Sequence, residues 1–573
     1  MCAGKSERVF LVSSALPTHV GYARQSDPNQ CLGALWLRRC PCRIDPHMNE
    51  SIDSGFLLPQ NVGAERLAKQ LGGESHSRVG ESTEFSLRFF DSFDWRLHAA
   101  GLRCLQLRAP QGALVKLKPA EGGAPLDAVA YAPELAWPAD LPDSRLRTEV
   151  AKRLDMRVLL PLATVRGEAT DLSVLNEDEK TVVRLQLLTM RVEAEGLEEA
   201  RTLWPRLRLV PVTGYQRDLD KLTTYLSEEM EWPQSPDCLF DEVMAAAGRE
   251  PGDYSSKLNV RLRPDQTAAD ATRTILRDLL ATLERNISGT RADLDSEFLH
   301  DLRVATRRTR SALSQIKQVL PEELVADFKQ RFAWLGQVTG PVRDLDVFLL
   351  ELPRYRASLP GSMAGDLDGL EDLLRNAHGK EQALLKRKLG SAEMRKLIAD
   401  WHEVLDADVL PGEPAALADR PVEEVASQRI WRMYKKVLKA GRAVTADGPA
   451  EEMHELRKDC KKLRYLIEFF RSLYPGKELK DLIRALKVLL DNLGEFQDLE
   501  VQADKLRSFA KDFVPENPHT MPTVLAIGAL VADLLRHQQA AHERFADCFD
   551  AFDSAENRAR YTHLFKHKVA RRS

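Results

Sequence analysis

A single shift of 154 positions lays one part of the C-terminal half of this chain onto another. His300-Asp301-Leu302-Arg303-Val304-Ala305-Thr306-Arg307-Arg308-Thr309-Arg310 returns as His454-Glu455-Leu456-Arg457-Lys458-Asp459-Cys460-Lys461-Lys462-Leu463-Arg464. The register holds without a gap to Pro321 and Pro475, to Gly340 and Gly494, and to Arg343-Asp344-Leu345-Asp346-Val347 against Gln497-Asp498-Leu499-Glu500-Val501. An ungapped internal duplication limits the fold before any local propensity does, because each copy must be one supersecondary unit.

On a helix, His300, Arg303, Arg307 and Arg310 share one face through their i, i+3, i+7, i+10 spacing. Leu299, Leu302, Thr306, Thr309, Leu313, Ile316 and Leu320 form a stripe one residue earlier, matched in the second copy by Met453, Leu456, Cys460, Leu463, Ile467, Phe470 and Tyr474. One residue is about 100° of helical rotation. The cationic row therefore flanks the buried stripe, as the wall of a groove would.

The formal net charge of the 573 residues is only −4, so anion binding must come from local patches. The length predicts two to four domains. The eight cysteines make no small-domain disulfide framework. Cys2, Cys31, Cys40 and Cys42 crowd the start and the rest stand singly, the usage of a reduced, cytoplasmic protein. Cys40 and Cys42 lack a second pair at zinc spacing. No segment reaches the roughly 20 apolar residues of a membrane span, and Val524 to Ala532, stopped by Asp533, reads as a core helix. Residues 1–47 show no periodicity and are expected to be disordered or untranslated, with Met48 as the start.

Residues 48–230 read as mixed α and β, with a helix from Asn61 to Leu71 and a closing helix from Arg217 to Glu229. Strands are predicted at Phe85 to Phe90, Leu102 to Leu107, Ala113 to Leu117, Val158 to Val165, Thr181 to Val192 and Leu207 to Val212. Phe89-Phe90-Asp91-Ser92, Trp95-Arg96-Leu97-His98-Ala99-Ala100-Gly101-Leu102, Lys118, and Leu160-Pro161 to Arg166 resemble the triphosphate-tunnel (CYTH) family. That resemblance implies an antiparallel β-tunnel whose inward Lys and Arg bind triphosphate and whose glutamates hold a metal. Ser51, Asp53 and Gly55 stand where the family opens with Glu, Glu and Lys. Leu102-Arg103-Cys104-Leu105-Gln106-Leu107-Arg108 replaces its alternating arginines. Arg184, Gln186, Arg206 and Arg208 stand where its late glutamates are expected. The lobe is expected to be a degenerate, non-catalytic relative.

Residues 231–266, rich in Pro and Gly, are expected to be a linker with room for one short helix. From 267 to 560 the pattern is helical, broken at Pro321, Gly340-Pro341, Pro360-Gly361, Pro411-Gly412, Pro449, Pro475-Gly476 and Pro515 to Pro522, and predicts two bundles of about four helices. Residues 561–573 form a basic tail. The paired His-x-x-Arg motifs with their Arg/Lys clusters, Leu463-Arg464-Tyr465, and Arg343 to Val347 resemble the conserved-histidine α-helical (CHAD) domain. The resemblance implies two pseudo-twofold-related four-helix bundles around a basic cavity. It also implies non-enzymatic binding of inorganic polyphosphate, with association to polyphosphate granules.

Charge physics favours the same ligand. Polyphosphate carries about one charge per unit and no bases, so dense cations and counterion release must recognise it. Arg forks take phosphate oxygens in bidentate fashion, Lys acts as a point charge, and His lends a third donor type. The candidate ligand set is His300, Arg303, Arg307, Arg308, Arg310, Arg343, His454, Arg457, Lys458, Lys461, Lys462 and Arg464, with Arg303 and Arg457 at its centre. No catalytic residue, metal ligand or cofactor is expected. Asp344, Asp346, Asp498 and Glu500 are expected to orient neighbouring arginines. Arg429, Arg432, Lys436 and Lys439 either widen the basic surface or form a solvated face. His563, His567, Arg571 and Arg572 are expected to be exposed. Two other functions stay open: a triphosphate hydrolase or cyclase in the N-terminal lobe, and a general polyanion or nucleic-acid module. The basic rows lack the interleaved aromatics that the latter stacks on bases.

Overall fold

A computed structural model describes residues 55–566 apart from 61, 72–75, 236–238, 409–411, 414, 446–447 and 514–519. The leader with its four cysteines, Ser51, Asp53, Pro411, Pro515, His567, Arg571 and Arg572 lie outside the described residues. The chain divides into a unit ending at Ser255 and a helical unit that takes in Ser256–Ser573.

The first unit is an antiparallel sheet. Its strands are β1 (Phe56–Leu57), β2 (His76–Asp91), β3 (Leu102–Ala109), β4 (Gly112–Pro119), β5 (Asp127–Ala130), β6 (Leu160–Leu175), β7 (Thr181–Glu193), β8 (Arg201–Thr202) and β9 (Arg206–Pro211). They run in the order β1-β9-β7-β6-β2-β3-β4-β5, with β8 beside β7. Its helices are α1 (Ala64–Leu71), α2 (Arg96–Ala99), α3 (Arg145–Leu154), α4 (Gln216–Thr224) and α5 (Leu239–Ala246). All six predicted strands are present; β5 and α3 were not anticipated.

The turn after β2 is built on the buried Asp91, whose carboxylate accepts from the backbone N–H of Ser92, Leu97 and His98 at 2.7–2.8 Å. Burial raises its pKa although those three donors oppose the shift. Gly101, at φ +69°, then turns the chain into β3, a conformation in which a Cβ would be strained.

One sheet face collects Phe85, Leu87, Phe89, Leu107, Val165, Leu188, Met190 and Val192, and α5 lies over it with Leu239, Phe240, Val243 and Met244 buried. The Phe240 ring meets Phe89 edge-on at 5.3 Å. The same helix sets Asp241 against Arg103 at 3.5 Å and Glu242 against the buried Arg206. The region expected to be a linker thus supplies part of the sheet unit's core, which is why that unit extends to Ser255.

The helical unit contains α6 (Ala268–Ala292), α7 (Ser296–Gln315), α8 (Glu322–Val338), α9 (Gly340–Ser358), α10 (Asp368–Leu389), α11 (Ala392–Asp406), α12 (Val422–Gly441), α13 (Ala450–Phe469), α14 (Gly476–Asp512), α15 (Met521–Glu543), α16 (Phe545–Phe552) and α17 (Ala555–Tyr561). The 154-residue shift carries the starts of α6, α7 and α8 onto those of α12, α13 and α14. Among the described residues each copy therefore has six α-helices, two more than the expected bundle.

The copies differ at two joints, one of them in α11, whose span the shift carries onto both α16 and α17. Copy one breaks between α8 and α9 at Gly340-Pro341, where proline has no N–H for the helical ladder. Glu495 takes that place in copy two, and α14 runs through unbroken.

The predicted apolar stripes of α7 and α13 are buried throughout. They do not, however, head separate cores. One cluster draws on α6, α7, α8 and α11 together with α12, α13, α14 and α16. A second joins α9 and α10 to the end of α14 and α15, through Leu345, Phe348, Leu374, Leu499, Leu506 and Leu530.

Equivalent helices meet across the duplication: α6 with α12, α7 with α13, α10 with α15. At the helix starts the Ala268 N–H donates to the Arg420 carbonyl at 2.8 Å and the Val422 N–H to the Gln266 carbonyl at 2.9 Å. The 154-residue shift maps one of these bonds onto the other, the reciprocity of an isologous contact. Val524 to Ala532 falls in α15 and packs into the second core; among the described residues no helix is long and apolar enough to cross a membrane.

Gly441 at the end of α12 marks the tightest packing between α12 and α16: a Cβ there would stand 1.9 Å from the Phe549 ring. Gly441→Ala is expected to cost about 1–3 kcal/mol of unfolding free energy by overpacking. Gly528→Ala, on α15 with open space around it, is expected to add about 0.5–1 kcal/mol through helix propensity. Denaturant titration of both variants checks the pair.

Candidate functional site

The α7–α13 contact brings the two basic rows onto one cavity of about 420 Å³. His300, Arg307 and Arg308 line it from copy one, and Arg457, Lys461 and Arg464 from copy two. The α14 wall adds Asp491, Gly494, Glu495 and Asp498. Six of the twelve predicted ligand residues thus converge.

The cations are held by different means. Arg308 donates to the Ser256 carbonyl at 2.9 Å and to Glu468 Oε2 at 3.1 Å. Arg464 Nε meets Glu468 Oε1 at 2.7 Å. Arg457 donates to Gln497 Oε1 at 2.6 Å and to Asp498 Oδ1 at 3.0 Å, and it passes over Gly494, where a Cβ would come within 3.6 Å of its guanidinium. Arg307 is exposed, and neither it nor Lys461 has a carboxylate within ion-pair distance among the described residues. Burial, then the charges of Arg457 and Arg307, pull the Lys461 ammonium down to about 8, against a weaker opposing pull from Asp498.

The other six predicted residues lie off the cavity lining. Arg303 donates to the Gly336 carbonyl at 3.1 Å and to Thr339 Oγ1 at 3.0 Å, pinning α7 to the end of α8. It crosses Gly340 as Arg457 crosses Gly494, and a Cβ at either place would meet the guanidinium at an ordinary van der Waals distance of 3.7 and 3.6 Å. Burial and the neighbouring Arg307 lower its pKa. Arg310 is exposed beside Gly336, and Arg343 approaches the Ser296 carbonyl at 3.5 Å. His454 Nε2 stands 2.8 Å from Glu500. Lys458 pairs with Glu455 at 2.6 Å, and Lys462 with the buried Asp459 at 2.9 Å.

The copies use their histidines differently. Asp346, the counterpart of Glu500, is taken by His378 of α10 at 2.9 Å, while His300 reaches the cavity. Hydrogen bonding to Asp346 raises the pKa of His378. Of the carboxylates expected to orient arginines, Asp498 does so; Asp344 faces Lys505 at 3.4 Å instead. Arg429 is buried and donates to the Lys317 carbonyl, and Lys436 pairs with Asp459 at 2.8 Å, so the α12 row is no continuous basic surface. Among the described residues no three His, Cys, Asp or Glu side chains gather as a metal site.

Sequence reasoning missed Glu468 and the acidic α14 wall. The i, i+4 spacing of Arg464 and Glu468 was readable, as was that of Asp491 and Glu495, but not what they face. Tyr465, next to Arg464 in sequence, also lines the cavity.

The CHAD domain family model matches residues 274–507. Uncharacterized proteins of Mycobacterium tuberculosis strains CDC 1551 and H37Rv are 27% identical over 263 residues, covering 44% of this chain and 48% of theirs. The chain thus spans about half the length of the curated relatives it matches. Among solved structures, the CHAD domain from the plant Ricinus communis shares 25% identity over 53% of this chain and 95% of its own, with a TM-score of 0.42. PptA from Streptomyces chartreusis shares 19% over 50% of this chain and 100% of its own, with a TM-score of 0.37.

Burial of Lys461, with arginines beside it, is expected to cost the free protein stability. Its folded-state pKa of about 8 lies below the ordinary 10.5, so between those values the unfolded chain binds more protons and stability rises with pH. Lys461→Met is expected to raise unfolding free energy at pH 7 by about 1–2 kcal/mol and to abolish that rise. Thermal unfolding from pH 7 to 10 measures both effects.

Proposed function

With residues 274–507 a CHAD domain, we propose that this protein binds inorganic polyphosphate in the cavity between α7 and α13, without chemistry on it. The observation that carries the reading is the convergence of Arg307, Arg308, Arg457, Lys461 and Arg464 with His300 on one cavity, with no carboxylate within ion-pair distance of Arg307 or Lys461 among the described residues. Like charges gathered at a solvent-accessible wall destabilise a free protein and gain their compensation from a polyanion. The CHAD resemblance supplies the ligand class, and it also suggests association with polyphosphate granules.

The reciprocal backbone bonds at the starts of α6 and α12 support a pseudo-twofold axis relating the copies. A phosphate chain laid along such an axis meets an Arg/Lys cluster from each copy in turn. The alternation of phosphate units, each about one charge, suits cations spread over two helices better than a single anion would.

The sheet unit fits a degenerate triphosphate tunnel that does no catalysis. Register places Leu105 opposite Lys116 and Arg103 opposite Lys118, so leucines share the face of Lys118, the candidate tunnel lysine. The apolar side of α5 packs on that face and its carboxylates engage Arg103 and Arg206. A nucleic-acid module is the second reading, favoured by Tyr465 on the lining, whose neighbour Phe469 stacks on it instead.

Titration of the full chain with labelled long-chain polyphosphate, competed by tRNA at two salt concentrations, tests the proposal. Polyphosphate is expected to resist excess tRNA, and equal displacement would reduce the site to a general polyanion groove. Arg307→Ala with Lys461→Ala is expected to weaken binding by about 30-fold or more. Arg303→Ala is expected to lower thermal stability and leave affinity within about threefold, since Arg303 serves the α7–α8 joint.

Above about pH 8, where Lys461 of the free protein gives up its proton, binding is also expected to take one up. A polyanion beside Lys461 favours its charged form, so affinity falls as pH rises above about 8. Calorimetry in buffers of different ionisation enthalpy counts the proton, and Lys461→Met should remove it.

A further inference from the structure

Among the described residues, Glu468 is the one carboxylate that two cavity arginines share, one from each copy. Its Oε2 meets Arg308 of α7 at 3.1 Å and its Oε1 meets Arg464 of α13 at 2.7 Å. It is largely buried, at 16% side-chain exposure, and so cannot swing into bulk water at little cost. The 154-residue shift places Ser314 at its counterpart, whose hydroxyl donates to the Arg310 carbonyl within its own helix. Structural upkeep of a copy therefore does not require a carboxylate at this position.

We infer that Glu468 is an internal competitor for the anionic ligand and sets a minimum ligand length for the cavity. The inference rests on the proposed polyphosphate reading and adds to it which phosphates the site accepts.

In the free protein Glu468 neutralises two cations that would otherwise crowd Arg307, Arg457 and Lys461. A ligand must either displace it from Arg308 and Arg464 or bind beside a negative charge. Orthophosphate or tripolyphosphate, reaching few cations at once, meets that cost with few compensating contacts. A long chain engages Arg307, Lys461 and Arg457 together with the shared pair, and further units held along the same wall rebind at high effective concentration. The carboxylate thus penalises short ligands more than long ones. A residue that only oriented Arg464 would help both classes of ligand alike.

The test compares affinities of the full-length wild type, Glu468→Gln and Glu468→Asp for long-chain polyphosphate and for tripolyphosphate, at two salt concentrations. Glu468→Gln is expected to bind tripolyphosphate about tenfold more tightly and the long chain only about two- to threefold more tightly. Its salt dependence should steepen by about one unit of log–log slope as a further phosphate contact forms. Glu468→Asp keeps the charge and is expected to stay within about threefold of the wild type for both ligands. A loss of affinity in both variants would overturn the inference and make Glu468 a positioning residue. So would an unchanged ratio of the two affinities in Glu468→Gln. Thermal unfolding of each variant separates a folding defect from a binding effect, because only a change in slope and ratio reports competition. Wild-type protein that binds neither ligand would instead remove the polyphosphate reading itself, and this inference with it.

Discussion

The contact between α7 and α13 forces cations from two copies of one motif into a single cavity, and much of the helical unit serves to make that tolerable. The apolar stripes supply the force. Leu302, Leu313, Leu456, Leu463 and Ile467 are each at most 3% exposed, and burying a side chain of that size contributes about 1.5–3 kcal/mol. That attraction fixes the helices, and the basic rows beside the stripes have no choice but to meet. The strain falls mainly on Lys461, whose ammonium is pulled down to about 8 by burial and then by the neighbouring arginines.

Relief comes from the second copy and is not shared evenly. Asp498 and Gln497 hold Arg457, and Glu468 sits between Arg308 and Arg464. The first copy has Arg343 where Gln497 stands and Ser314 where Glu468 stands. Divergence after duplication thus placed neutralising groups on one wall and left Arg307 on the other without an ion-pair partner among the described residues. The histidines diverged in the same way: Glu500 draws His454 away, while His378 occupies Asp346. The sheet unit shows a parallel economy, in which α5 meets cations of one sheet face with Asp241 and Glu242.

What could be read from the sequence was periodic or repeated. The 154-residue shift named the equivalent helices, the apolar stripes named the buried faces, and six strands were located from Val- and Leu-rich runs between turns. The Gly340 and Gly494 pair was visible as a match, whereas the guanidinium that crosses each was not. Local signals of this kind survive because hydrophobic period and turn chemistry act over a few residues.

The amino-acid sequence by itself determined that two basic helices exist, which face each buries and that the two are equivalent. Only the tertiary structure decided which cations share a cavity. Arg303 and Arg457 occupy the same motif position, yet one is bound to the end of α8 and the other lines the cavity beside Asp498. The same holds for α5, whose linker-like surroundings concealed a core helix. The physical reason is common to both cases. A charged side chain long enough to span several ångströms takes its partner from whichever element packs beside it, and a short apolar helix is stable only against the surface that covers it.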